Sequence, residues 1–241
     1  MSTIKADTVQ PKDFATDLTL GATGDTVTVA ADSMSINKVQ DKGGNTLWDF
    51  SSGSFVSSMK EFASQNLKLL STQIASSHSS ISFTTGIDST YDVYIFRFIG
   101  IDADTLNAAL EFQGSTDGGS NYNTTMTTTW YYVYHNEADN SAGAAYAAAN
   151  DQGQGTAYQK IATSFGSDAD QSAAVELHLF APSSTTYVKH FYITTSQYSK
   201  APEQATYYVA GYFNTTSALD ALSFKMSSGL MSGTIKMYGL L

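Results

Sequence analysis

Large apolar residues alternate with polar ones over much of the chain. Val175, Leu177 and Leu179 flank Glu176 and His178; Leu110 and Phe112 alternate with Glu111 and Gln113; Ile235 and Met237 flank Lys236. A period of two puts one set of side chains on each face of a strand, which is the pattern of antiparallel sheets with one wet face. Candidate strands follow at 67–75, 80–84, 91–101, 109–115, 127–135, 157–164, 173–181, 187–197, 205–214, 221–226 and 233–241. Some ten strands in about 175 residues predict a two-sheet antiparallel β-sandwich, jelly-roll-like, over residues 67–241. The stretches 136–155 and 196–204 carry no strand pattern and read as long connections, the first following a very aromatic strand.

The first 47 residues follow a different rhythm. Val9, Leu18, Val27 and Ile36 are nine residues apart, Leu20 and Val29 repeat the step two positions later, and Gly21, Gly24, Asp25, Asp32 and Ser33 lie between. Short strands joined by turns at this spacing predict a winding β-segment. Strands with two or three apolar residues bury too little surface to offset roughly 1 to 2 kcal/mol of backbone entropy per residue. Three copies wound about one axis would supply the missing partners, so Val9, Leu18, Leu20, Val27, Val29 and Ile36 are expected to line the core of a homotrimeric stalk. A pair of hairpins folded onto the main domain is the plainer alternative. Residues 48–66 read as a linker: "WDFSSG" forms a joint, and Phe55, Val56, Met59, Phe62 and Ala63 after Ser54 have helical spacing for a short helix.

Composition sharpens this picture. With 15 Tyr, 13 Phe and many Thr and Val, the chain favours pleated, half-buried surfaces. Charged residues make up only 14%, and the net charge of -10 includes one arginine, Arg97. Nucleic-acid binding needs clustered Lys and Arg to displace counterions from phosphate, so no such partner is expected. No cysteine is present, which removes disulfides, thiolate metal sites and cysteine nucleophiles. The N-terminal "MSTIKADTVQPKDF" lacks a basic region followed by an apolar run, and no stretch approaches the roughly 20 apolar residues of a span, so neither a signal peptide nor membrane insertion is expected. A sparsely charged, extracellular-looking surface without an export signal is what a particle assembled in a host cytoplasm and released by lysis would show.

Candidate chemistry is sparse. His178 and His190 sit in strands and could meet across neighbours around a metal, but neither His-x-His nor His-x-x-x-His spacing occurs, and bonding to nearby backbone or tyrosine hydroxyls is the simpler role. Asp102 with Asp104 and Asp168 with Asp170 are alternate loop carboxylates outside any EF-hand pattern, so solvated acids are expected and no metal is assigned. No nucleophile elbow, P-loop or dinucleotide fingerprint is present, no cofactor is implied, and the chain is expected not to be an enzyme. Aromatic side chains offer more. Trp130, Tyr132 and Tyr134 before the 136–155 connection, Tyr146 within it and Tyr158 after it are candidate ligand-binding residues, because rigid amphipathic rings make good contact surface for sugars.

The opening "MSTIKADTVQ" with "LTLGATGDTVTV", the close on "SGTIKMYGLL", and "SSISFTTGIDSTYDVYIFRF" and "LHLFAPSSTTYVKHFY" between them resemble virion structural proteins of tailed phages of marine bacteria, cyanophages among them. The similarity covers nearly the whole chain. It implies a tail-fibre or fibre-like appendage with a slender N-terminal segment for trimerisation or attachment to other virion proteins, and a distal β-sandwich; it carries over no catalytic residues. The function expected is that of a non-enzymatic, homotrimeric virion appendage contributing to adsorption on host-surface glycan or protein. A capsid or tail decoration protein without a receptor is the alternative, and a small glycan depolymerase a third.

Overall fold

Alternation at 173–213 dictates the centre of the molecule. The structure, a computed structural model, describes residues 67–240 together with the strands β1 (Lys38–Gln40) and β2 (Thr46–Asp49). The expected stalk positions Val9, Leu18, Leu20, Val27, Val29 and Ile36 and the linker helix lie outside the described residues. Contacts divide the chain into Met1–Ala63 and Ser64–Leu241. In the first unit β1 and β2 pair antiparallel, Val39 opposite Trp48, so Trp48 and Asp49 belong to a strand and not to a joint.

The second unit is an all-β sandwich. Its larger sheet has the order β3 (Leu67–His78), β14 (Met231–Leu240), β5 (Val93–Ala103), β10 (Ala173–Phe180), β11 (Lys189–Tyr198), β12 (Glu203–Phe213), β7 (Met126–Asn136) and β8 (Ala142–Tyr146). The smaller sheet has the order β4 (Ser80–Phe83), β13 (Ala221–Met226), β6 (Leu110–Ser115) and β9 (Gln159–Ala162). Every ladder is antiparallel.

Between the sheets lies a phenylalanine core. Phe98 meets Phe224 edge to face at 4.8 Å, and Phe112 meets Phe191 in the same way at 5.0 Å. This geometry sets the positive ring edge against the negative face of its neighbour and adds about 0.5 to 1.5 kcal/mol per pair beyond burial. Gly233, at φ +128°, lets β14 bulge against β5: a Cβ there would stand 2.6 Å from the carbonyl oxygen of Gly100. Two polar residues inside the sandwich are tied down by hydrogen bonds. The buried Lys189 donates from Nζ to the carbonyls of Tyr187 and Thr215 at 2.9 and 3.0 Å, and burial lowers its pKa. Gln113, expected on a wet face, is fully buried and donates to the carbonyls of Thr156 and Ala157.

Two sequence expectations are corrected. The 136–155 stretch is not a plain loop: it contains β8, paired with β7 from Tyr131 opposite Tyr146 to His135 opposite Ala142, and a 3₁₀ turn at Ala148–Asn150. Ala, Gly and Tyr in "AGAAY" give no apolar contrast, so the ladder is invisible to a periodicity argument. The 196–204 stretch is no long connection either, since β11 runs to Tyr198, β12 starts at Glu203, and their ladder closes on Tyr198 opposite Gln204.

The sheets are unequal, and this creates the site. β9, the edge of the smaller sheet, packs over β11 and β12. β7 lies beyond it. One end of the inner face of β7 is covered by the chain leading into β9: Met126 and Gly155 exchange backbone hydrogen bonds at 2.8 and 3.0 Å, and Thr128 donates to Gln159 at 2.7 Å. The other end, with Tyr132 and Tyr134, is only half-buried.

Candidate functional site: an aromatic cleft under the sheet overhang

Three alternate residues of β7, Trp130, Tyr132 and Tyr134, share the inner face of the larger sheet. They form a ladder. Trp130 and Tyr132 are 5.5 Å apart, Tyr132 and Tyr134 stack at 6.0 Å with 23° between planes, and Tyr207 of β12 lies against Trp130 at 5.1 Å and Tyr132 at 6.0 Å. Register explains the grouping: Tyr207 is the cross-strand partner of Tyr132, and Val209 that of Trp130.

The ladder lines an open cleft of about 470 Å³. Its other walls are Ser141 and Ala147 beside β8, Asn150 of the 3₁₀ turn, Thr163 and Ser164 after β9, and Glu203 at the start of β12. Ser164 sits at φ +60°, a left-handed conformation that a residue with a side chain adopts only where its surroundings impose it. Here its carbonyl accepts from the Lys200 N–H at 2.9 Å, while the Thr163 carbonyl accepts from the Tyr207 hydroxyl at 3.0 Å. Glu203 accepts at Oε1 from the Ser199 hydroxyl at 3.0 Å. Burial pushes the Tyr207 phenol up to about 12, so Tyr207 is a neutral donor. The pKa of Tyr198, at the same end of the sheet, is raised by burial and then by Glu137, Asp170 and Asp168, which marks that end as acidic.

Some buried polar atoms near the cleft lack hydrogen-bond partners: Trp130 Nε1 in its lining, and others on the neighbouring strand β11. Among the described residues, seven buried side-chain atoms have none, and four of them are Trp130 Nε1, Thr195 Oγ1 and both amide atoms of Gln197. Thr195 is the cross-strand partner of Tyr207, and Gln197 that of Ala205, which in turn faces Tyr134. The orphaned atoms therefore occupy the same inner-face rows as the ladder. Buried polar groups in native structures are almost always paired, and exceptions mark sites of water, ion or ligand.

The five candidate ligand residues are thus split. Trp130, Tyr132 and Tyr134 come together, but Trp130 is a floor residue only 1% exposed and its flat faces are covered by tyrosines. Tyr146, paired with Tyr131, is on the outer face of the same sheet, 61% exposed, and its hydroxyl donates to Asp151. Tyr158 immediately precedes β9 of the smaller sheet and lies under the Lys225 ammonium at 4.3 Å. Glu203, Asn150 and Ser164 carry no signal of their own in the sequence, and Tyr207, one of the chain's strand tyrosines, joins the ladder. The alternation of Ala205, Tyr207 and Val209 gave the face of Tyr207, and the sheet order that sets it beside Tyr132 is a non-local fact.

The other candidates resolve locally. His178 and His190 are both on the outer face; His178 shares a hydrogen bond with Glu176 at 2.7 Å and stacks on Tyr192 at 4.5 Å, so its partner is a carboxylate and not backbone. Asp104 accepts from the Leu230 N–H and the Thr105 hydroxyl, which lower its pKa, while burial raises that of Asp102. Gln171 accepts at Oε1 from the Asp168 N–H.

No protein-family model, curated protein or solved structure matches the chain. The chemistry of the cleft has to be judged from its own groups. Flat tyrosine rings, hydroxyl and amide donors and acceptors, and a single lining carboxylate suit a ligand with apolar C–H faces and several hydroxyls. Hydrolysing a glycosidic bond takes a pair of carboxyl groups flanking it, and among the described lining residues Glu203 stands alone.

Proposed function

We propose that the chain is a virion structural protein of a tailed phage: a non-enzymatic, homotrimeric, fibre-like appendage whose sandwich domain holds host-surface glycan in the Tyr132–Tyr134 cleft. The observation that carries this reading is the aromatic ladder, with Tyr132 and Tyr134 half-buried in an open cleft whose walls carry hydroxyl, amide and carboxylate groups. A polyhydroxylated ligand would lay its C–H face on these rings and bond, directly or through water, to the polar groups of the walls. The sequence supports the rest: residues 1–47 serve trimerisation and attachment to other virion proteins, assembly takes place in the host cytoplasm, and neither nucleic acid nor membrane insertion is involved.

The test is adsorption of the purified full-length chain to host envelopes and to polysaccharide extracted from them. Wild type is expected to adsorb, with Tyr132→Ala weakened about tenfold and the glycan recovered intact. Equal adsorption by Tyr132→Ala would remove the cleft from the reading, and release of short oligosaccharides would replace adhesion with hydrolysis.

A further inference from the structure

The outer face of the larger sheet should be its wet face, yet β11, β12 and β7 place Tyr192, Tyr208, Tyr212 and Tyr131 there. Their arrangement is not a flat patch. Ala210 stands at the centre, with Tyr192 and Thr129 as its cross-strand partners and Tyr208 and Tyr212 two residues away on its own strand. A strand rises about 3.3 Å per residue, so Tyr208 and Tyr212 are roughly 13 Å apart with only a methyl group between them. The result is a groove of about 430 Å³ joined to a hollow of about 220 Å³, with Tyr192 and Ala210 belonging to both.

The walls are held in place before any ligand arrives. Tyr192 stacks on His178 at 4.5 Å with 16° between planes, and His178 is fixed through Glu176 to the Arg97 guanidinium, 2.7 Å at each link. Tyr208 stacks on Tyr131 at 4.8 Å with 15° between planes. Tyr192 and Tyr131 nevertheless stay 44% and 46% exposed. Rigid, exposed rings lose little entropy on binding.

Charge and shape select the occupant. The lining holds no Asp, Glu, Lys or Arg, in a chain whose net charge is -10, so an uncharged ligand matches it. The hole above Ala210 is open to solvent, its lining carrying tyrosine rings and threonine hydroxyls. A sugar ring fills it, its C–H face on a tyrosine and its hydroxyls toward Thr127, Thr129 and Thr194. We propose that the groove over Ala210 is a second binding site, for a neutral pyranose unit of a polysaccharide, on the face of the sheet opposite the cleft. It stands independently of the cleft.

The experiment is native electrophoresis of the full-length chain through gels cast with a soluble β-glucan, an α-glucan or a galactomannan. Wild type should be retarded in at least one gel. There Tyr192→Ala is expected to bind about tenfold more weakly, Tyr192→Phe to behave as wild type because the ring remains, and Ala210→Leu to lose binding by filling the hole with the tyrosines intact. Tyr132→Ala should keep the share of retardation that Tyr192→Ala removes, and this separates the groove from the cleft: loss with Tyr132→Ala alone overturns the groove and spares the cleft. Wild-type migration by Ala210→Leu and Tyr192→Ala in every retarding gel, or retardation in none, also overturns the proposal. So does a wild-type sedimentation mass that falls in Ala210→Leu, since the occupant would then be another copy.

Discussion

The phenolic hydroxyl of Tyr207 donates to the carbonyl oxygen of Thr163 at 3.0 Å and so ties β12 of the larger sheet to the chain leaving β9 of the smaller one. That tie fixes the back wall of the cleft, because Tyr207 is a rung of the ladder and Thr163 part of the opposite rim. Tyr207→Phe keeps the ring and removes the bond. Urea unfolding should show a loss of about 1 kcal/mol, and adsorption should weaken because Thr163 is no longer held.

Burial raises the pKa of the same phenol from 10.0 to about 12. The folded value lies above the unfolded one, so the contribution to stability is complete below pH 10 and is lost as pH rises toward 12. The melting temperature is expected to fall across that window, and less steeply in Tyr207→Phe. Tyr94, whose pKa burial also raises, maintains part of the slope in both proteins.

Beside Asp88, Asp104 and Glu176, whose pKa values are also lowered, Asp117 contributes at acid pH. The Ser115 hydroxyl and then the Asn121 side chain and N–H donate to its carboxylate and lower its pKa to about 2, against 3.8 for a free aspartate. Here the folded value lies below the unfolded one, so the stabilisation is present above 3.8 and is lost as pH falls toward 2. Asp117→Asn should melt lower at neutral pH and lose stability less steeply between those values, as read by thermal melts across the acid range.

Trp130 separates packing from hydrogen bonding. Trp130→Ala is expected to cost about 3 to 5 kcal/mol in urea unfolding, the range for deleting a large buried ring. Trp130→Phe should cost much less, because it also removes an indole N–H that has no partner and is worth about 1 to 3 kcal/mol to be rid of.

Gly211 is sterically obligatory. A Cβ there would lie 2.4 Å from the Thr127 carbonyl oxygen and 3.0 Å from the Phe191 ring, and neither the ladder backbone nor the core ring has room to move. Gly211→Ala should destabilise the domain by about 1 to 3 kcal/mol through overpacking, visible as an earlier urea midpoint with an unchanged slope.

The sandwich was legible where large apolar and polar residues alternate. Ala173, Val175, Leu177 and Leu179, Phe191 and Ile193, and Ala205, Tyr207 and Val209 show which side faces inward, and the structure places them in the core. β8 was not legible, since "AGAAY" offers no contrast between its faces. Trp130, Tyr132 and Tyr134 were legible as one face of one strand. That this face is core at Trp130 and cleft at Tyr134 depends on where β9 ends above it, which no local pattern encodes. The groove over Ala210 was hidden for a related reason: its walls come from three strands, and a small residue between two tyrosines reads as unremarkable until its cross-strand neighbours are known.

The overhang of the larger sheet has a consequence for change over generations. Tyr134, Ser141 and Asn150 line the cleft without being part of the buried core. Replacing them reshapes the rim at little cost to folding, whereas Trp130 and Tyr207, one row deeper, hold shape and stability together. A protein built this way can accept change at its rim while its scaffold tolerates little.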